Sequence, residues 1–149
     1  MHLLFICDGN TCRSPMAAAL AAAMLPPGDC ASSAGVGAAD GQPAAAPAAA
    51  AIAETGGDLS GHRSRQLTPA IAAEADIIFT MAHRHIAQVA ALSPASRVLL
   101  LSAAAGEQGD IDDPYGADLP RYRATRDQMK CLLEKIMPRL PQLLARPNR

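Results

Sequence analysis

Two hydrophobic patterns alternate along this chain. Leu3-Leu4-Phe5-Ile6 is a short unbroken apolar run, and so are the middle of 75–80 (Ile77-Ile78-Phe79) and the stretch 97–101 (Val98 to Leu101). Runs of that length and type predict strands buried on both faces. A further short strand is predicted from Cys30 to Gly35, although it is poor in β-branched residues. The intervening segments read as helices. Met16 to Leu25 is made of strong helix formers and is stopped by Pro26-Pro27-Gly28. The alanine-rich stretch 41–53 predicts a helix opening near Pro43 or Pro47, because Ile52 and Glu54 continue the helical pattern until Gly56-Gly57. Thr68-Pro69 caps and opens a short helix to Ala73. Met81 to Leu92 forms another. The last begins at Asp118 as N-cap with Pro120 in its first turn. Met129, Leu132, Leu133, Ile136, Met137 and Leu140 then hold one core-facing stripe, until Pro138 and Pro141 kink or end the helix.

Strands alternating with helices predict a parallel sheet with right-handed crossovers. The expected architecture is α/β, a flavodoxin-like doubly wound four-stranded sheet flanked by helices, with ligands at the carboxyl ends of the strands. Composition sharpens this. A length of 149 residues with no repeats suits one domain over 1–149. Half the residues are apolar but only 3% are aromatic, so the core must be built from Ala, Leu, Ile, Val and Met. A net charge of −1 gives no support to nucleic-acid or polybasic membrane partners. No apolar run reaches the ~18 residues that span a bilayer, and the N-terminus lacks a basic region and cleavage site. A cytoplasmic, reducing location is expected, so the four cysteines should be thiols. Their spacing does not suit a metal, and His83 and His85, two apart on a helix, make a poor ligand pair. No metal or cofactor is expected. Cys30 and Cys131 read as small core residues.

The chemistry concentrates between the first strand and first helix, in Cys7-Asp8-Gly9-Asn10-Thr11-Cys12-Arg13-Ser14-Pro15. Gly9 and Asn10 tolerate the unusual backbone angles of a tight loop. Curled at a helix N-terminus, the loop N–H groups converge on one oxyanion, and Arg13 adds a two-pronged donor for phosphate oxygens. Cys7 would lie on the floor of this nest, where the positive field favours thiolate. A thiolate under a cradled phosphate is set for in-line attack on phosphorus, leaving a phosphocysteine. The leaving group then needs a proton that the thiolate cannot give. Asp113, in Asp112-Asp113-Pro114-Tyr115-Gly116 beyond the last strand, is the candidate donor, with Asp112 as its bland neighbour.

The string C-x5-R-S-P after a first strand resembles the low-molecular-weight protein tyrosine phosphatases, and "C-x-G-N-T-C-R-S-P" resembles their bacterial protein-arginine phosphatase branch. The resemblance implies a phosphotyrosine phosphatase I type fold, and "S-A-G" at the end of the second strand agrees with it. It also implies that Asp113 is the general acid and later the activator of water. By the same resemblance Asn10, Ser14, Ser33 and His62 form a network that supports the loop, and Cys12 traps an oxidised Cys7 as a reversible disulfide. Ser14 is also placed to donate to the Cys7 sulfur. Substrates would be phosphorylated proteins, with phosphate as product. Tyrosine phosphatases of the family carry Ile at the Thr11 position and aromatic walls. Here Thr11, Gly37-Ala38-Ala39 and Gly116 stand instead, and Tyr115 is the one evident wall. That favours phosphoarginine, with phosphotyrosine as the alternative. Asp8 departs from both patterns; it is expected at the rim, where its carboxylate would attract a substrate guanidinium. An arsenate reductase would need further cysteines after the third strand, and 80–85 has none. An inactive phosphate-binding module would lack Cys7 or Asp113. A nucleotide-binding P-loop would need G-K-[ST].

Overall fold

The computed structural model describes residues 1–145. Four parallel strands, β1 (His2–Cys7), β2 (Cys30–Gly35), β3 (Ile77–Thr80) and β4 (Val98–Leu100), form one sheet in the order β2-β1-β3-β4. The helices are α1 (Arg13–Ala22), α2 (Ala46–Ala53), α3 (Pro69–Ala73), α4 (His83–Leu92), α5 (Leu101–Ala104), α6 (Leu119–Ile136) and α7 (Leu140–Ala145). The strand order reverses at β1, so a crevice opens beyond the carboxyl ends of the central strands, the usual ligand position in such a sheet.

Strand alternation explains the two-sided core. Leu3, Phe5 and Cys7 of β1 join Ile77 and Phe79 on one face, packed against Met16, Leu20, Ile52, Met129 and Leu133. Leu4, Ile6 and Ile78 face the other way, against Ala72 and Val89. Both faces are covered, hence the unbroken apolar runs. The two phenylalanines of the chain, Phe5 and Phe79, stack across β1 and β3 with centroids 5.6 Å apart.

Element types match expectation more closely than their ends do. α1 starts at Arg13 rather than Met16, because Pro15 sits in its first turn, where a missing N–H costs nothing. Thr68 caps α3 as expected, its hydroxyl accepting from Ile71 N at 3.2 Å. Asp118 stands at the N-cap of α6 but makes no side-chain cap bond. Of the predicted stripe, Met129, Leu132, Leu133, Ile136 and Leu140 are buried, while Met137 falls in a 3-10 turn (Met137–Arg139) that also holds Pro138. Leu101 opens α5 instead of ending the last strand. The core reading of Cys30 and Cys131 is wrong, since both are exposed. Cys30 begins the edge strand, and Cys131 lies off the apolar stripe of α6. Among the described residues no helix is long and apolar enough to cross a membrane.

Candidate active site

Residues 7–13 wrap the floor and one wall of a cavity of about 400 Å³ at the carboxyl end of β1, closed on the other sides by Gly37, Ala39, Gln42, Asp113 and Tyr115. The loop leaves the sheet at Cys7, which is paired with Gly35 of β2. Its tightest point is Asn10, whose φ of 57° lies in the left-handed region that asparagine tolerates better than other residues with side chains. Asn10 is fully buried and every polar group of its side chain is used. Its Nδ2 donates to Ser14 Oγ at 2.8 Å and Ser33 Oγ at 2.9 Å, and its Oδ1 accepts from Arg65 N at 3.0 Å. The main-chain oxygen of Asn10 accepts from His62 Nε2 at 2.7 Å, which requires that ring nitrogen to carry a proton. Asn10, Ser14, Ser33 and His62 are thus brought together as expected. Arg65 was missed: it acts through main-chain N–H, which any residue type provides.

Gly35 is needed here for a different reason. A Cβ on it would lie 2.3 Å from Asp8 O and 2.9 Å from the Ala38 side chain. Main chain cannot yield that far without moving the loop. Gly35→Ala is expected to cost about 1–3 kcal/mol, the scale of overpacking in a rigid interior. It should also weaken phosphate binding, since the displaced atom belongs to the loop. A thermal melt and phosphate titration check this; an unchanged Tm would show that the turn adapts.

Cys7 is buried, with its sulfur 2.9 Å from Ser14 Oγ. Ser14 already accepts from Asn10, which leaves its own hydrogen free to donate to sulfur. Burial pushes the Cys7 thiol up from its ordinary value, while the Ser14 hydrogen bonds and the Arg13 charge pull it back. In the empty nest burial outweighs these stabilisers, contrary to the sequence expectation that the field alone favours thiolate. Cys12 is buried beside Tyr122, Sγ to Oη 3.2 Å, and both loop cysteines are free thiols. Thr11 lines the cavity half-buried, its hydroxyl 3.7 Å from Cys12 Sγ.

Arg13 is buried and acts as a brace between loops. Its Nη1 donates to Ile111 O at 3.0 Å, and its Nη2 reaches Asp8 Oδ2 at 3.1 Å and Asp113 Oδ2 at 3.4 Å. The Asp-Pro loop is therefore anchored on the arginine of the nest. Asp113 lines the cavity with its other oxygen accepting from Tyr115 N at 3.1 Å, whereas Asp112 pairs with Arg121 at 2.6 Å, away from the cavity. Geometry separates the two acids in favour of Asp113. The Tyr115 ring is 77% exposed at the mouth. Gln42 was not anticipated; among the described residues its side-chain amide has no partner, and it lines the wall opposite.

Asp8 does not offer an open carboxylate at the rim. Arg84 grips it with both terminal nitrogens (Nη1 to Oδ1 2.5 Å), buried His85 donates to Oδ1 at 3.1 Å, and Arg13 shares Oδ2. These contacts hold its carboxyl down at about 2. The expected attraction of a substrate guanidinium is corrected accordingly: a guanidinium of the chain itself occupies that place. Arg84 and His85 carried no signal in the sequence, since they join Asp8 across more than seventy residues. Among the described residues no group of His, Cys, Asp or Glu is placed to hold a metal ion.

A cavity that sets a buried cysteine, a buried arginine and an aspartate around one loop is also shared by known proteins. The chain is 37% identical over 142 residues to the protein-arginine-phosphatase of Geobacillus stearothermophilus, covering 93% of this chain and 95% of that one. It is 36% identical over 141 residues to the probable low-molecular-weight protein-tyrosine-phosphatase EpsP of Ralstonia solanacearum, covering 95% and 97%. A solved structure of a YwlE arginine phosphatase, a mutant with a phosphorylated active-site serine in place of cysteine, superimposes with a TM-score of 0.87 at 33% identity, covering 95% of this chain and 97% of that one. The family model described as low molecular weight phosphotyrosine protein phosphatase matches residues 2–146, and the chain belongs to that family of protein phosphatases.

Proposed function

We infer that this chain hydrolyses phosphoarginine in proteins through a phosphocysteine on Cys7. The observation that carries the reading is the convergence of Cys7, Arg13 and Asp113 on one cavity, with the loop main chain curled beneath it. The Cys7 thiolate attacks phosphorus in line, and the phosphorus–nitrogen bond breaks. Asp113 in its acid form gives its proton to the departing guanidine nitrogen. Asp113, now a carboxylate, takes a proton from water as that water attacks phosphocysteine; phosphate leaves and the thiolate returns. Arg13 pairs its fork with two phosphate oxygens and holds the charge that builds on them. The phosphorylated active-site serine in the related arginine phosphatase supports a covalent intermediate at this position. Cys12, one loop turn from Cys7, would protect an oxidised nucleophile by forming a disulfide.

The choice of phosphoarginine rests on the walls. Thr11, Gly37, Ala39 and Gln42 surround the phosphate with small or hydrogen-bonding groups, and Tyr115 alone offers a ring. A planar, polar guanidinium suits hydroxyl and carboxamide partners, while a phenol gains from buried hydrocarbon. Phosphotyrosine is the second reading, favoured by the exposed Tyr115 ring and the likeness to EpsP.

Thr11→Ile tests the selection. It removes a hydroxyl and adds bulk beside the loop, so it should lower kcat/KM for phosphoarginine and raise it relatively for phosphotyrosine. The ratio should shift by about 1–3 kcal/mol, the scale of one misplaced polar or apolar group. An unchanged ratio would remove Thr11 as the selector.

A further inference from the structure

The Asp8 cluster is built for more than rim solvation. Asp8 follows Cys7 directly and lines the phosphate cavity, so an unpaired carboxylate there would repel a phosphate dianion and oppose ionisation of Cys7, which burial already hinders. The carboxyl at about 2 stays charged throughout any working pH, so protonation cannot relieve this. The relief comes from α4. Arg84, the second residue of that helix, pairs with both Asp8 oxygens. A cation in the first turn of a helix sits at the end its dipole disfavours, so helix stability does not account for Arg84.

His85 completes the arrangement without adding charge. Its Nδ1 accepts from Ala82 N at 3.1 Å, so the neutral ring carries its proton on Nε2, which donates to Asp8 Oδ1 at 3.1 Å. Burial lowers the His85 pKa and keeps the ring neutral. The ring orients the carboxylate, and Arg84 cancels its charge. The charged groups facing the cavity and this cluster are then Asp8, Asp113, Arg13 and Arg84, two of each sign. Asp8 in turn holds Arg13 Nη2 at 3.1 Å, on the prong turned toward the phosphate site.

We propose that Arg84 is a positioning and charge-compensating residue of the phosphate site, acting through Asp8: it lets a carboxylate orient Arg13 beside the nucleophile without repelling the anionic substrate. This rests on the cavity being the phosphoryl-transfer site, and it holds for either phosphorylated residue.

The test uses inorganic phosphate as competitive inhibitor and p-nitrophenyl phosphate as substrate, on the full chain. Arg84 has an exposed side chain, so its replacement should leave the fold intact. Arg84→Gln is expected to weaken phosphate inhibition and raise KM by about tenfold, as suits the loss of one unit charge near the rim. It should also move the acid limb of the kcat/KM profile, set by thiol ionisation, to higher pH. Arg84→Lys should stay near wild type. Combining Arg84→Gln with Asp8→Asn should recover phosphate binding to within about threefold, because the uncompensated charge is gone while an acceptor for Arg13 remains. A merely structural role for Arg84 would not be rescued in this way. Wild-type phosphate affinity in Arg84→Gln would overturn the proposal, and so would a double variant no better than the single one. Absence of wild-type turnover would instead overturn the reading of the cavity itself.

Discussion

Replacing Cys7 by serine should lower steady-state hydrolysis by at least about 10⁴-fold, the usual cost of removing a covalent nucleophile. A serine hydroxyl ionises far less readily than a thiol, and nothing in the nest is a base able to take its proton. Cys7 sits against Ser14 Oγ at 2.9 Å, a hydroxyl that donates but does not abstract. Phosphate binding should survive, because the cradle consists of loop main chain and Arg13 rather than the sulfur. The pair of outcomes is what discriminates: lost turnover with retained phosphate affinity marks a nucleophile, whereas loss of both marks a collapsed loop. Substantial remaining activity would exclude Cys7 from the chemistry.

Asp113→Asn should separate substrates by leaving group. Guanidine departs as a strong base and needs a proton, so phosphoarginine cleavage should fall by about 10²–10⁴-fold, the range of general acid catalysis. p-Nitrophenolate leaves readily without one, so its first-turnover release should fall by less than about tenfold. The first turnover is the proper quantity, because the variant also lacks the base for phosphocysteine hydrolysis and would stall there on either substrate. Asparagine retains an oxygen for the contacts with Arg13 and Tyr115 N, so the loop should keep its place. Equal losses on both substrates would assign Asp113 a structural role.

The parts of this account legible in the sequence were those whose physics is local. Unbroken apolar runs such as Leu3 to Ile6 show strands buried on both faces, and Thr68-Pro69 shows a helix start. The nine residues from Cys7 to Pro15 carry strand end, loop, clamp and helix opening in one stretch. Asn10, Ser14, Ser33 and His62 were expected together through a resemblance, and they meet at 2.7–2.9 Å. What was hidden depends on contacts distant in sequence. Asp8 looked like a free acid because Arg84 and His85 reach it from α4 only after β1 and β3 pair. Arg65 supports Asn10 with a main-chain N–H, which leaves no trace in residue type. Gln42 comes to the cavity from a low-complexity stretch with no periodicity to place it. Cys30 and Cys131 were misjudged because a small apolar residue carries little directional signal; their exposure follows from an edge strand and a helix face.

The central claim is that the cavity turns over phosphoarginine in preference to phosphotyrosine. It is tested most directly by kcat/KM of the unmodified chain for two peptides of the same flanking sequence, one phosphorylated on arginine and one on tyrosine. The account predicts a preference for phosphoarginine of about tenfold or more, the discrimination one well-matched polar wall supplies. Equal rates, or a preference for phosphotyrosine, would contradict it.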